Sequence, residues 1–137
     1  MANEHVLMLQ KTFPTSMTCA DGTGIEKGTV LKMTDPNTVA ANDTAEDVVG
    51  GIAYTEKIAD DGNTQIAVLA GPGDELKAYA SGAIAIGDTL SSCDAAFPNY
   101  LQAATAGLSG SHTIGISKEA AAAGETFRYT LNIGAAV

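Results

Sequence analysis

Few side chains in this sequence could carry out catalysis. The only histidines, His5 and His112, lie more than a hundred residues apart in the chain. A Ser-His-Asp triad would have to be assembled from His112, a distant aspartate and either Ser109 or Ser111. Segment 107–111 ends in serine, whereas the Gly-x-Ser-x-Gly elbow that presents such a nucleophile ends in glycine. We therefore expect no catalytic residues and no enzymatic activity, with His5 in a mobile terminus and His112 in a surface loop.

Two acidic turns, at 43–47 and 60–63, are the candidates for metal binding. Their carboxylates are the type of ligand that calcium prefers, but the spacing of an EF-hand loop is absent. Loop 71–74, with the sequence Gly-Pro-Gly-Asp, has a proline and an acid where a phosphate-binding loop needs backbone N–H groups and a lysine. The sequence thus predicts solvated acidic turns, with no metal site and no cofactor.

The two cysteines, Cys19 and Cys93, belong to no metal-binding or redox motif. The sequence favours two unpaired thiols in a reducing compartment, and a single disulfide remains an alternative. The first residues, Met-Ala-Asn-Glu-His, contain neither the basic nor the apolar stretch of a secretion signal. We expect synthesis in the cytoplasm without export by the general route.

The composition excludes two classes of partner. The chain has 137 residues and a net charge of −9, so it lacks the clustered cations that nucleic-acid binding requires. It is 45% hydrophobic, yet no apolar stretch approaches the ~20 residues of a membrane span. The length predicts one folded domain or two very small ones, with a core of small aliphatic side chains because aromatic residues are scarce.

Short strands separated by turns account for most of the sequence. Residues 76–80 alternate between apolar and other side chains, and the alternation is clearest at Phe127, Tyr129, Leu131 and Ile133. Segment 118–124 is rich in alanine but too short for a stable helix, so we expect a loop or one helical turn there. The sequence therefore predicts an all-β protein with little helix.

The N-terminal residues are predicted to form a segment separate from the main domain. A short apolar strand at 6–9 precedes Pro14, which cannot donate a ladder hydrogen bond. We predict an extended arm over residues 1–23 and a single β-rich domain over residues 24–137.

An internal repeat indicates how that domain is built. Segment 28–31 resembles 87–90, segment 51–53 resembles 115–117, and segment 66–69 resembles 128–131, in the same order and at offsets near sixty residues. Each pass contains three strands, and a three-stranded sheet with one apolar face is not stable alone. The prediction is a small β-barrel or sandwich made of two similar three-stranded units.

The order of these motifs resembles a family of phage head proteins. The segments that carry the resemblance are 28–31 (GTVL), 49–53 (VGGIA), 84–90 (IAIGDTL), 114–116 (IGI), 119–125 (EAAAAGE) and 128–131 (RYTL), which together cover most of residues 24–134. They are similar to the capsid decoration proteins of tailed bacteriophages, also called cement or head-stabilising proteins, and to related uncharacterised small phage head proteins.

The resemblance implies a β-rich structural protein that binds the outer surface of an assembled capsid. Its partner would be the major capsid protein, whose subunits it would bridge as a homotrimer. It implies no catalytic residues. We expect capsid contacts from the arm, at Val6, Leu7, Leu9 and Phe13, and from the loop that carries Phe97 and Tyr100. The alternatives are a phage tail or head-completion component and a small extracellular glycan- or calcium-binding module.

Overall fold

A computed structural model describes residues 3–136 and shows an almost entirely β structure. Within this range there are eleven strands and one short 3-10 helix, at Gly110–His112. The strands are β1 (Val6–Leu9), β2 (Thr15–Thr18), β3 (Val30–Asp35), β4 (Thr38–Ala41), β5 (Val49–Ala53), β6 (Gln65–Leu69), β7 (Glu75–Tyr79), β8 (Thr89–Ser92), β9 (Leu101–Ala103), β10 (Gly115–Ser117) and β11 (Thr126–Leu131). The predicted all-β class with little helix is confirmed.

The strands form a closed barrel and a six-stranded sheet. The barrel runs β2-β4-β3-β5-β6, and the parallel pairing of β2 with β4, at Thr18 and Thr38, closes it. The sheet has the order β1-β7-β11-β10-β8-β9, with antiparallel neighbours throughout. Closing the barrel leaves none of its five strands with an unpaired edge.

The predicted repeat is present and is larger than the sequence indicates. Strands β3, β5 and β6 are neighbours in the barrel, and their counterparts β8, β10 and β11 are neighbours in the sheet. Each unit has two further strands, so β2-β6-β5-β3-β4 in the first unit matches β7-β11-β10-β8-β9 in the second. The parallel closure also recurs, as a single bridge between Ala80 and Leu101. Each unit therefore has five strands and not three.

The glycine of the repeated Gly-Ile motif is required for the same steric reason in both units. Gly51 lies opposite Leu31, and Gly115 lies opposite Leu90. A Cβ at Gly115 would lie 2.2 Å from the Thr130 carbonyl oxygen, and one at Gly51 would lie 2.7 Å from that of Leu69. Neither distance can accommodate a side chain, so the neighbouring strand requires glycine at both positions.

Two hydrophobic clusters stabilise the units. The smaller one fills the barrel and includes Cys19, Leu31 and Val68. The larger one combines residues of both units, with Ile52 and Leu69 from the first and Phe127 and Tyr129 among those from the second. The alternation predicted for the last strand is confirmed at Phe127, Tyr129 and Leu131, which are all buried. Ile133 lies beyond the end of β11 and is partly buried. Cys93 is also buried, and both cysteines are free thiols.

The N-terminal segment is extended, and both of its strands are paired with the rest of the chain. β1 lies antiparallel to β7 at one edge of the sheet, and Leu7 packs against the larger cluster. β2 pairs with β6 over four residue pairs and is a strand of the barrel. Pro14 precedes β2, where no ladder hydrogen bond is needed. The boundary expected at residue 23 therefore coincides with no break in either sheet.

Candidate interaction surface

The residues expected to contact a capsid from the N-terminal segment differ in exposure. Val6 is 56% exposed on β1, and its position is opposite Lys77 of β7. Leu9 is also exposed, beyond an irregularity in the pairing of β1. Leu7 points to the core and is only partly accessible. Of the expected contacts on β1, Val6 and Leu9 are thus available to a partner and Leu7 mainly anchors the strand.

Phe13 is the most exposed large apolar side chain, at 93%. The loop that carries it is fixed by the fully buried carboxylate of Asp74. Asp74 Oδ1 accepts hydrogen bonds from the backbone N–H of Lys11, at 2.5 Å, and of Thr12, at 2.9 Å, while Oδ2 accepts one from the Thr12 hydroxyl. A carboxylate that accepts several hydrogen bonds is well solvated by the protein. The loop is therefore held in place with the Phe13 ring in solvent.

The second expected contact, in the loop after β8, contains an aromatic group. Phe97 is 47% exposed, and its ring lies edge-on to that of Tyr100 with the centroids 5.6 Å apart. Tyr100 in turn lies 5.7 Å from Tyr79 of β7. Tyr79 and Lys77 are two residues apart on one strand, so they lie on the same outward face. The aromatic group thus continues along β7 toward Val6.

A buried histidine connects the two expected contact segments. His5 is 5% exposed, so the expectation of a mobile terminal histidine is wrong. Its Nε2 donates to the Asn99 carbonyl at 2.8 Å, which leaves Nδ1 to accept from the Tyr129 hydroxyl at 2.6 Å. Asn99 also accepts, through Oδ1, the backbone N–H of Val30. Both ring nitrogens are satisfied in the neutral form, and this explains why a polar side chain is stable in the core.

The environment of His5 opposes protonation. Burial lowers the pKa of His5 from 6.5 to about 4, while the hydrogen bond to the Asn99 carbonyl acts in the opposite direction. The sequence offers no local signal for this role, because the two partners are 94 and 124 residues away. The sequence likewise gives no indication of the role of Asn99, because His5 and Val30, which it contacts, are distant from it in the chain.

The side chains considered for catalysis are not arranged for it. His112 Nδ1 donates to the Glu46 backbone carbonyl at 2.7 Å. Ser109 and Ser111 have their hydroxyl oxygens 3.4 Å from each other. In the described part of the chain, neither serine is hydrogen-bonded to the imidazole, and an activated nucleophile requires that bond.

The acidic turn at 60–63 is paired with a cationic side chain of the protein itself, that of Lys57. Lys57 Nζ lies 2.9 Å from Asp21 Oδ1 and 2.7 Å from Asp61 Oδ1, and the lysine side chain is 1% exposed. The same nitrogen also donates to backbone carbonyls. Side-chain hydrogen bonding to Lys57 holds the pKa of Asp61 below its ordinary value. This turn is therefore an ion-pair site, and over residues 3–136 no three metal-ligating side chains are grouped to hold a metal ion.

The geometry as a whole defines an all-β protein of two tandem five-stranded units. Between residues 3 and 136, no helix has the length and apolar character needed to cross a membrane. No protein-family model matches the chain, and no curated protein matches it.

A solved structure resembles this fold over nearly the whole chain. It is described as the crystal structure of head fiber gp8.5 N base in bacteriophage phi29. The TM-score is 0.54 and the sequence identity is 12%, with 88% of this chain and 94% of that chain covered. At this level of identity, the similarity establishes a shared fold.

Proposed function

We propose that this protein is a structural component of a phage virion that decorates and stabilises the outer surface of the assembled capsid. The observation that carries the proposal is the fold shared with the base of a phage head fiber, over 94% of that chain. The resemblance of the sequence motifs to capsid decoration proteins supports the same assignment. The partner is the major capsid protein, and a homotrimer bridges neighbouring capsid subunits.

The contact surface of this proposal combines the N-terminal segment with the aromatic loop. A large group of exposed apolar side chains rimmed by polar residues is typical of protein interaction sites. Val6, Leu9 and Phe13 supply such side chains from one segment, and Phe97 with Tyr100 supplies an aromatic anchor from the other. Aromatic residues are enriched among the side chains that contribute most to binding. Leu7 contributes indirectly, by holding β1 in place.

The proposal includes no chemical reaction. The protein acts by binding, without a cofactor, a nucleic acid or a membrane. A net charge of −9 is compatible with a position outside the shell, because packaged DNA would repel it. The protein is made in the host cytoplasm and joins the capsid there.

Binding to heads tests the proposal directly. The chain is added to purified heads of the phage that encodes it, assembled with its gene disrupted, and bound protein is measured by co-sedimentation. We expect saturable binding and, by electron microscopy, density on the outer head surface. Phe13→Ser combined with Phe97→Ser should weaken binding on the order of a thousandfold, since each buried aromatic anchor contributes about 2 kcal/mol or more.

Ile86→Ser is the matched control, because Ile86 is 72% exposed and lies in the second unit, outside both contact segments. It should leave binding unchanged. Lack of saturable binding, density on the tail alone, or equal weakening by the control variant would contradict the proposal.

A further inference from the structure

Three cations form a row across neighbouring strands of the six-stranded sheet. Lys77 of β7 lies directly opposite Arg128 of β11. Lys118, just after β10, donates its backbone N–H to the Arg128 carbonyl at 2.9 Å and so continues the row. Residues 76, 78, 127 and 129 point inward and are buried, so the alternating side chains of the row point outward. We call Lys77, Arg128 and Lys118 the cationic row.

Two carboxylates border the three cations of the row: Glu75, and Glu119, whose Oε1 accepts the backbone N–H of Arg128 at 2.7 Å. Glu75 pairs with two members of the row, at 3.0 Å from Lys118 Nζ and 2.9 Å from Arg128 Nε. The hydrogen bond from Lys118 lowers the pKa of Glu75, and the charges of Arg128 and Lys11 act in the same direction. Lys77 is exposed and, within residues 3–136, takes part in no ion pair.

Such an arrangement is unfavourable for the isolated protein. Like charges directly opposite each other on antiparallel strands destabilise a sheet. Position 77 is an exposed strand position, where the fold itself does not require a charge. An interaction outside the chain would offset this destabilisation.

The charge of the whole chain is distributed unevenly. Three of its seven Lys and Arg residues, at 11, 118 and 128, act on Glu75, and a fourth, Lys77, is two residues from Glu75 on β7, although the net charge is −9. Residues 20–63 contain nine Asp and Glu residues and three Lys. Residues 64–137 contain six Asp and Glu residues and three Lys and Arg, so the positive region is confined to the neighbourhood of the cationic row.

We propose that the cationic row is a docking site for an acidic protein surface. A protein fits better than a nucleic acid because Val6, opposite Lys77, adds an exposed apolar side chain beside the row, and Tyr79 adds an aromatic ring on the same strand. The cationic row shares Val6 with the proposed capsid contact, but it includes neither Phe13 nor Phe97 and requires only an acidic partner, so this inference goes beyond capsid decoration.

The test uses the full-length protein and poly-L-glutamate as the acidic probe, with binding followed by calorimetry at low salt. Saturable binding should weaken as salt is added, and Lys77→Glu should weaken it on the order of tenfold. The matched control is Lys27→Glu, the same charge change at an exposed lysine of the first unit. It should have little effect.

A thermal melt separates loss of the site from loss of the fold. Lys77→Glu places a carboxylate opposite Arg128, so the isolated variant should melt at the same or a higher temperature than the wild type. Lack of binding to poly-L-glutamate, equal weakening by both variants, or tighter binding of duplex DNA would overturn the inference. None of these results depends on whether the chain binds heads, which the co-sedimentation experiment decides separately.

Discussion

The Tyr129 hydroxyl donates a 2.6 Å hydrogen bond to His5 Nδ1, and this bond connects the N-terminal segment to the centre of the larger core. Tyr129 is fully buried, and burial raises the pKa of its hydroxyl well above the usual value. The hydroxyl therefore stays protonated and available as the donor. The pair makes the ends of the chain interdependent, since 124 residues separate the two side chains.

The first prediction concerns acid stability. The pKa of His5 is lowered from 6.5 to about 4 in the folded state, so between these values the unfolded chain binds the extra proton. The contribution of His5 is thus complete above pH 6.5 and is lost as the pH falls toward 4. We expect the free energy of unfolding, measured with urea, to decrease by about 3 kcal/mol from pH 7 to pH 4 because of this residue. His5→Gln should flatten the profile in this window, and an equally steep profile in the variant would contradict the assignment.

The second prediction concerns the close approach of β10 and β11. Gly115→Ala would place a methyl group 2.2 Å from the Thr130 carbonyl oxygen, so the strands would have to separate. We expect a loss of about 3 kcal/mol in the free energy of unfolding. Gly82→Ala is the control, since a Cβ there has no neighbour within 4 Å, and it should change stability by about 0.5 kcal/mol or less. Comparable losses in both variants would show that the loss comes from replacing glycine by alanine in general, and not from the contact with the Thr130 carbonyl oxygen.

The third prediction concerns the loop that carries Phe13. Asp74→Ala removes the acceptor for two backbone N–H groups and one hydroxyl. We expect the amide protons of Lys11 and Thr12 to exchange with solvent much faster and the free energy of unfolding to fall by about 2 kcal/mol or more. Asp94→Ala removes one exposed hydrogen bond to the Ala96 N–H and serves as the milder comparison. Unchanged exchange at residues 11 and 12 would exclude Asp74 as the group that fixes the loop.

The fourth prediction concerns the start of the chain. A protein that begins at residue 21 lacks β1 and also β2, the strand whose pairing with β4 closes the barrel. Exposed strand edges and an open core should follow, so we expect no cooperative thermal transition by circular dichroism. A chain that begins at residue 10 keeps β2 and should retain a cooperative, though weaker, transition. A fully cooperative melt of the shorter protein would show that β2 is dispensable.

Sequence patterns predicted the fold well wherever the responsible contacts are local or repeated. The alternation at Phe127, Tyr129 and Leu131 identified β11, and the repeated Gly-Ile motif identified β5 and β10 with their neighbours. β2 was assigned to an arm because its sequence, Thr-Ser-Met-Thr, contains one apolar residue. Its place in the barrel depends on β4 and β6, which are distant in sequence. Local hydrophobicity contains no information about such pairings.

The interaction surface was less predictable than the fold. The exposure of Phe13 and Phe97 agrees with the idea of external contacts, although their role in binding stays a prediction. The alternating pattern of β7 and β11 predicted which residues point outward, but the opposition of Lys77 and Arg128 depends on strand register. Register is set by pairing across the whole sheet. The burial of His5 likewise depends on Asn99 and Tyr129, which only the folded chain brings near it.

The position of β1 has a consequence for how the two duplicated halves differ. In the first half, β2 has β6 on one side and β4 on the other. In the second half, β7 has β11 on one side and β1 on the other, and the parallel bridge to β9 is made by Ala80, just beyond the end of β7. β1 therefore covers the edge of β7 that its counterpart β2 does not offer to a further strand. If it is displaced, the vacated edge of β7 is matched in register and side-chain pattern to β1 of another molecule, and this is the geometry required for strand exchange.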